Sequence, residues 1–168
     1  MTRNLTIPLK TFSTNDVTTR TTSFGDCDDF STGFARVERM QHEAMTHAFR
    51  GHGGFLSSDD VAQGLRGVCD QPVSKLARWI VSRSIISISW RAQTLIPAFQ
   101  FDRADMSIVP GVADVLQELR TVFDNWELAL WFAAPNAWLD YAAPVTLVTE
   151  DALAVLQAAR TDRFIALG

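Results

Sequence analysis

The sequence predicts a mainly α-helical protein, with a helix-turn-helix-like N-terminal module that carries a β-hairpin and a small helical C-terminal module. Three observations support this: apolar residues recur at helical spacing, capping boxes and prolines mark helix starts, and one stretch alternates with period two. The expected division is a flexible arm over 1–32, a helical module over 33–109 with the hairpin at 85–101, and a helical module over 110–168. We expect both modules to share one core.

The first 32 residues are predicted to form a poorly ordered arm. They are rich in Thr, Ser, Asn and Asp, and their aromatic residues Phe12, Phe24 and Phe30 recur without a helical or strand period. The sequence leaves two alternatives for these aromatic side chains: they dock onto the rest of the protein, or they dock onto a partner. From Gly33 onward the apolar spacing becomes helical, and the glycine-rich run at 51–54 predicts the end of that first helix.

Two short helices are expected next. Ser57 followed by Asp60 is a capping box, and Leu56 with Val61 fits the hydrophobic staple around it. Pro72 is suited to the first position of the following helix. That helix is predicted to turn an apolar stripe inward, formed by Val73, Leu76, Ala77 and Ile80. The pair is a helix-turn-helix candidate.

The hairpin is predicted from alternation. Ile86, Ile88 and Trp90 alternate with serines, as in a half-buried strand, and residues 91–93 fit a turn. A second strand follows over 94–101. Because Pro97 cannot donate a hydrogen bond, we expect this second strand to lie at the edge of the sheet. The hairpin is similar to the wing that follows many helix-turn-helix units.

The C-terminal module is expected to contain three main helices. Pro110 begins the first, and the capping box of Asp124 with Glu127 begins the second, which Pro135 ends. Thr149 is predicted to cap the last helix. Four apolar residues of that helix are expected to point inward: Ala152, Val155, Leu156 and Ala159.

Composition favours a cytoplasmic protein without a cofactor, a metal or enzymatic activity. No apolar run is long enough to span a membrane, and Cys27 and Cys69 are too few for a disulfide framework. His42-Glu43 followed by His47 misses the spacing of a zinc-protease motif by one residue. Acidic neighbours around Cys27 disfavour a reactive thiolate, and no nucleophile is paired with a base.

The charge distribution is compatible with nucleic-acid binding. Residues 71–101 carry four basic side chains and no acidic one. Phosphate contacts need such cations, so the candidate DNA-binding residues are Ser74, Lys75, Arg78, Arg83 and Arg91. Two alternatives remain open at this point: a degenerate fold that only packs or forms a homodimer, and a chance distribution of surface charge.

Three separated features occur in order along the second half of the chain. They are the strand end Phe99-Gln100-Phe101-Asp102, the segment from Trp126 through Pro135-Asn136 to Leu139, and Pro144 before an alanine-rich final helix. Together they resemble the Xre/MbcA/ParS-like antitoxin family over roughly residues 54–164. Many members carry Gly-Gly after that leucine, whereas Asp140-Tyr141 stand here, so the loop and its partner surface are expected to differ.

The resemblance implies an antitoxin-like protein that binds and neutralises a toxin, typically of the NAD-consuming RES type, and also binds operator DNA. Carried onto this chain, it indicates toxin-binding residues Trp131, Pro135, Asn136, Arg160, Arg163 and Phe164. Trp126 is expected to be buried and Trp131 to be an exposed anchor. The two arginines could equally be cations favoured by the helix dipole. A solitary DNA-binding regulator and a scaffold that only oligomerises are the alternative functions.

Overall fold

The computed structural model describes residues 27–168. This part of the chain is mainly helical, as predicted, with one small antiparallel sheet of three strands. Its elements are α1 (Cys27–Phe49), β1 (Phe55–Ser57), α2 (Ser58–Leu65), α3 (Pro72–Val81), β2 (Ile88–Trp90), β3 (Gln93–Pro97), α4 (Pro110–Leu119), α5 (Asn125–Ala133), α6 (Pro144–Leu147) and α7 (Ala152–Leu167). Short 3-10 turns occupy Arg50–His52, Ala98–Gln100 and Ala137–Leu139.

The first helix begins earlier than the sequence pattern predicted. α1 starts at Cys27 rather than at Gly33, so the last residues of the expected arm are helical. The polar composition of 27–32 hid this start, because it provides no apolar stripe to follow. The remainder of the arm prediction falls on residues 1–26, which lie outside the described residues.

Most helix starts are where the sequence signals placed them. Both capping boxes are present, with Ser57 and Asp60 at α2 and with Asp124 and Glu127 at α5. Prolines occupy the first position of α3, α4 and α6. The predicted cap of α7 was wrong: the side chain of Asp151, not Thr149, accepts a hydrogen bond from the backbone N–H of Ala154 at 3.0 Å.

The hairpin is present, but β3 is not an edge strand. The sheet order is β1-β3-β2, so β3 pairs with a strand on each side. Pro97 is tolerated because it is the last residue of β3, where it pairs with Phe55 of β1. The two-residue turn of the hairpin is formed by Arg91 and Ala92, both at positive φ, as the twist of paired strands favours.

Two apolar cores flank the sheet. The larger one joins Met45 and Phe49 of α1 to buried residues of β2, α4, α5, α6 and α7. It therefore contains residues from both sides of the predicted boundary at 109/110. The smaller core packs α2 and α3 against the sheet and contains Val61, Leu65, Leu76, Ile85, Ile96 and Phe101.

The side chain of a buried glutamine, Gln100, fixes the backbone at Ile86. Gln100 is fully buried, and its side-chain amide forms two hydrogen bonds with the backbone of Ile86. The Oε1 atom accepts from the Ile86 N–H at 2.7 Å, and Nε2 donates to the Ile86 carbonyl at 2.9 Å. The amide thus satisfies a backbone donor and acceptor that no neighbouring strand pairs.

Helices α4 and α7 approach each other closely at Gly111. A Cβ atom at this position would lie 2.8 Å from the carbonyl oxygen of Val148 and 2.9 Å from the Cβ of Ala152. Backbone atoms cannot move aside as a flexible side chain can. The close approach of α4 to the end of α6 and the start of α7 therefore requires glycine.

We expect Gly111→Ala to lower the free energy of unfolding by about 1–3 kcal/mol, because the added methyl group overpacks this contact. The direction of this change is informative, because replacing glycine by alanine within a helix ordinarily raises the free energy of unfolding by about 0.5–1 kcal/mol. Gly33→Ala in α1 is the matched control, as nothing lies within 4 Å of its added Cβ. Urea denaturation of both variants measures the difference. Equal stabilisation by both would contradict the close approach.

Candidate functional site

The last two turns of α7 leave large apolar side chains in solvent. Val155, Ala158 and Ala159 of this helix are buried against the larger core. Beyond them, Phe164 is 77% exposed, and Ile165 and Leu167 are exposed as well. Three large apolar side chains within four residues on one helix end form an exposed apolar surface, which we call the α7 tip. Such surfaces are typical of interaction sites.

Two predicted site residues lie beside the α7 tip and share one carboxylate. Arg160 Nε donates to Glu118 Oε1 at 3.0 Å, and Arg163 NH1 donates to Glu118 Oε2 at 2.8 Å. The arginine side chains are 58% and 44% exposed, against 20% for Glu118. Both guanidinium groups are therefore oriented by α4, yet each keeps donor capacity facing solvent.

These hydrogen bonds set the ionisation of Glu118. The bond from Arg160 is the largest cause; burial opposes it, but with the further bond from Arg163 the two arginines hold the pKa of the Glu118 carboxyl below its ordinary value. Because this pKa is lower in the folded state than in the unfolded state, the resulting stabilisation is present above the unfolded pKa. It is lost as the pH falls through the folded pKa.

We expect Glu118→Gln to make the free energy of unfolding depend less steeply on pH in the acidic range. The wild type should lose more stability than the variant between about pH 5 and pH 3, and at pH 7 the two should differ by about 1 kcal/mol or less, because the pair is partly exposed. Urea denaturation across this pH range is the measurement. Glu150→Gln, at an exposed acidic side chain, is the control. Parallel curves for the wild type and Glu118→Gln would show that the arginines do not stabilise this carboxylate.

A second polar cluster joins α7 to the loop after α5. The carboxylate of Asp162 accepts three hydrogen bonds: from Trp131 Nε1 at 2.7 Å, from Asn136 Nδ2 at 2.8 Å and from Trp138 Nε1 at 3.0 Å. Asn136 also organises its own loop, because its Oδ1 atom accepts from the backbone N–H of Trp138 at 2.8 Å. The structure thus brings the predicted site residues Trp131 and Asn136 together around an aspartate that the sequence pattern did not indicate.

The roles expected of the tryptophans are corrected. Trp131 is 8% exposed, so it is not the exposed anchor. Trp126 is only partly buried, and its Nε1 atom donates to Gln41 of α1 at 2.8 Å. The exposed tryptophan is Trp138, at 57%. Pro135 is exposed beside it.

The candidate DNA-binding residues on α3 are spread over its outward side. Ser74 and Arg78 are exposed, and the Lys75 ammonium lies over the Trp79 ring, 4.9 Å from its centre. The outward side is not purely polar. Val73, which was predicted to point inward, is 68% exposed, and Val81 is 84% exposed. Of the predicted inward stripe, Leu76 and Ile80 contact the smaller core, whereas Ala77 is exposed like Val73, and Trp79 packs there instead.

Arg83 has a structural role in the described chain. Its guanidinium donates to the carbonyls of Arg120 and Phe123, both at 2.6 Å, and to Asn125 Oδ1 at 3.1 Å. It therefore holds the turn between α4 and α5. Arg91, at the tip of the hairpin, is exposed and lies 5.5 Å from the centre of the Trp90 ring. Of these two cations, only Arg91 is open to a phosphate group.

His42, considered above for metal binding, lies in an aromatic stack. Its ring is nearly parallel to that of Trp90, with 4.3 Å between centres, and to that of Phe55, with 5.9 Å between centres. Burial lowers the pKa of His42, and the positive charge of Arg91 lowers it further. The neutral ring thus packs α1 against the hairpin. Among the described residues, no group of three or more His, Cys, Asp or Glu is arranged to hold a metal ion.

Comparison of the chain with protein-family models, with curated proteins and with solved structures gave no match. Within residues 27–168, no helix combines the length and the apolar character that crossing a membrane requires.

Proposed function

We propose that this protein is a cytoplasmic antitoxin-like protein without catalytic activity. It binds and neutralises a partner toxin, of the RES type that consumes NAD, through its C-terminal helices, and it also binds operator DNA. The observation that carries the proposal is the α7 tip, where Phe164, Ile165 and Leu167 are exposed beside Arg160 and Arg163. The motif order from Trp126 to Pro144 supports the same assignment.

The chemistry of the α7 tip suits a protein partner. Binding energy in interfaces concentrates in a few large apolar, aromatic and arginine side chains, and exposed apolar residues of this size gain from burial. The rim of the tip is cationic on the side of Arg160 and Arg163. A partner with an apolar pocket bordered by carboxylates is therefore complementary to the α7 tip in polarity and in charge.

Glu118 affects how this partner is recognised. Because it already binds both arginines, their guanidinium groups lose little rotamer freedom when a partner carboxylate arrives. The partner must, however, share or replace the Glu118 contacts. The arginines therefore contribute less binding free energy than two arginines without a carboxylate partner would, and they also orient the partner.

Co-expression with the product of the neighbouring gene tests the proposal. We expect growth inhibition by a RES-type neighbour to be relieved by this protein and the two proteins to co-purify. The chain with Phe164→Ser, Ile165→Ser and Leu167→Ser should fail in both assays. A triple variant at exposed apolar residues elsewhere, Val68→Ser, Val73→Ser and Val81→Ser, is the control. Relief of inhibition without complex formation would contradict neutralisation by binding.

A solitary DNA-binding regulator is the second candidate. The outward side of α3, with Ser74 and Arg78, together with a region of four basic and no acidic residues, favours it. If α3 contacts DNA, Lys75→Ala with Arg78→Ala should weaken binding to the gene's own promoter and reduce the slope of log affinity against log salt by about one unit per lost phosphate contact. Gel-shift titration at several salt concentrations measures this. Arg66→Ala, at an exposed arginine, is the control. If micromolar protein in low salt did not retard the promoter DNA, operator binding would be excluded.

A further inference from the structure

Three N–H donors within residues 131–138 converge on the Asp162 carboxylate. Trp131 belongs to α5, Asn136 and Trp138 belong to the loop after it, and Asp162 is on α7. Hydrogen bonds to a carboxylate are stronger and more directional than those between neutral groups. Two of the donors, Trp131 and Asn136, are on buried residues, so they anchor the carboxylate itself.

The third donor, Trp138, differs because its ring is exposed. An exposed tryptophan without a partner for its N–H would sample several rotamers. Here the indole N–H is bound by Asp162, and the backbone N–H of the same residue is bound by Asn136. The ring edge is therefore tied to α7 while 57% of the residue faces solvent.

The position of Trp138 extends the α7 tip. Ile165 follows Asp162 by three residues on α7, so the two side chains lie on the same side of the helix. A ring bound to Asp162 is therefore on the side of the α7 tip that Ile165 forms, while Phe164 and Leu167 lie about 140–160° further around the helix from Asp162. Rigid, exposed aromatic rings at the edge of an apolar surface lose little conformational entropy on binding, which is why they serve as anchors.

We propose that Trp138 is the aromatic anchor of the partner-binding surface and that Asp162 is its positioning residue. This inference rests on the proposed function, and its occupant is the same protein partner, with an apolar pocket and an acidic border that matches Arg160 and Arg163. Asp162 makes no contact with the partner in this arrangement. It acts by holding the indole ring in the orientation that the partner receives.

The positioning role is tested first in the free, full-length chain. The indole N–H signals, labelled with ¹⁵N and assigned by single Trp→Phe variants, report the mobility and the hydrogen-exchange protection of each ring. We expect the Trp138 signal to be as rigid as the backbone of α7 and to become mobile in Asp162→Ala. The signal of Trp90, which is in the aromatic stack instead, should not change. A mobile Trp138 signal in the wild type would overturn the positioning role.

The anchor role is tested by the affinity for the purified product of the neighbouring gene, which the proposed function expects to be a RES-type enzyme. Trp138→Ala should weaken binding by about 30-fold or more, as expected for an anchor residue. Trp138→Phe, which keeps a ring but lacks the N–H that Asp162 binds, should fall between Trp138→Ala and the wild type. Because position 138 is exposed and its substitution leaves the core intact, Trp138→Phe also tests the loss of the Asp162 hydrogen bond if Asp162→Ala does not fold. Tyr141→Ala, at a second exposed aromatic of the same loop, is the control.

The outcomes separate the two proposals. If the wild type binds the enzyme and Trp138→Ala binds equally well, the anchor role is overturned and the proposed function stands. If Trp138→Phe binds as tightly as the wild type, the hydrogen bond to Asp162 does not contribute to binding and the positioning role is overturned. If the wild type does not bind the enzyme, the proposed function and the anchor role fail together, whatever the rigidity of the indole ring.

Discussion

Gln100→Ala is expected to lower the free energy of unfolding by about 3–5 kcal/mol. The substitution removes both hydrogen bonds to Ile86, whose backbone N–H and carbonyl lie beside a fully buried side chain. Each unsatisfied buried polar group costs about 1–3 kcal/mol, and the lost side-chain volume leaves a cavity in addition. Since small proteins are stable by about 5–15 kcal/mol, this is a large fraction of the total.

Equilibrium denaturation in urea measures the effect, with Gln117→Ala as the matched control because that side chain is exposed on α4. The control should change stability by about 0.5 kcal/mol or less. Gln100→Glu is a sharper test of the hydrogen-bond pattern, since it keeps the shape but cannot donate to the Ile86 carbonyl when ionised. A change below about 1 kcal/mol in Gln100→Ala would mean that the amide does not fix this segment.

Arg160→Ala combined with Arg163→Ala is expected to weaken binding of the partner toxin by about 2–5 kcal/mol if both guanidinium groups pair with buried carboxylates of the toxin. We expect the lower end of this range, because each arginine gives up part of its contact with Glu118 on binding. Titration calorimetry with the purified toxin measures the difference. The stability of the free chain should change by about 1 kcal/mol or less, since these ion pairs are partly exposed.

Arg50→Ala combined with Arg66→Ala is the charge-matched control, as both of these side chains are exposed on other parts of the described chain. The control separates specific pairing from the loss of two positive charges. An unchanged affinity in the Arg160 and Arg163 double variant would remove these arginines from the site and would leave their pairing with Glu118 as their structural role.

Local chemistry explains what the sequence could predict. The capping boxes at Ser57 and Asp124 and the prolines that begin α3, α4 and α6 act within one helical turn, so they identify helix starts without any knowledge of the tertiary structure. The hairpin turn is equally local. The same signals could not reveal β1, because three residues are too few to establish a period. The edge position of β3 was predicted from Pro97, and without β1 no further pairing strand contradicted that prediction.

The exposure of Trp131 was mispredicted for a different reason. A helical wheel gives the angle between Trp126 and Trp131, but it does not say how many sides of the helix are covered. α5 packs against α1 and β2 and also against α6, so more than one side of it is buried. A helix covered in this way has little amphipathic contrast, and periodicity then carries little information about which residue is exposed.

The key residues of the candidate site are brought together only by the fold. Asp162 lies 31, 26 and 24 positions from its three donors, and Glu118 lies 42 and 45 positions from its two arginines. No short motif encodes such contacts. The sequence could therefore indicate the aromatic and arginine side chains as suitable for an interface, but not the two carboxylates that orient them.

The central claim is that the exposed end of α7 binds the partner. The most direct measurement is the affinity of the purified toxin for a chain that ends at Arg163. This truncation removes only exposed residues and leaves Val155, Ala158 and Ala159 in the core, so the rest of the fold is expected to remain. We expect affinity to fall by about 2 kcal/mol or more, the threshold of an interface hot spot. An affinity equal to that of the full chain would contradict the claim.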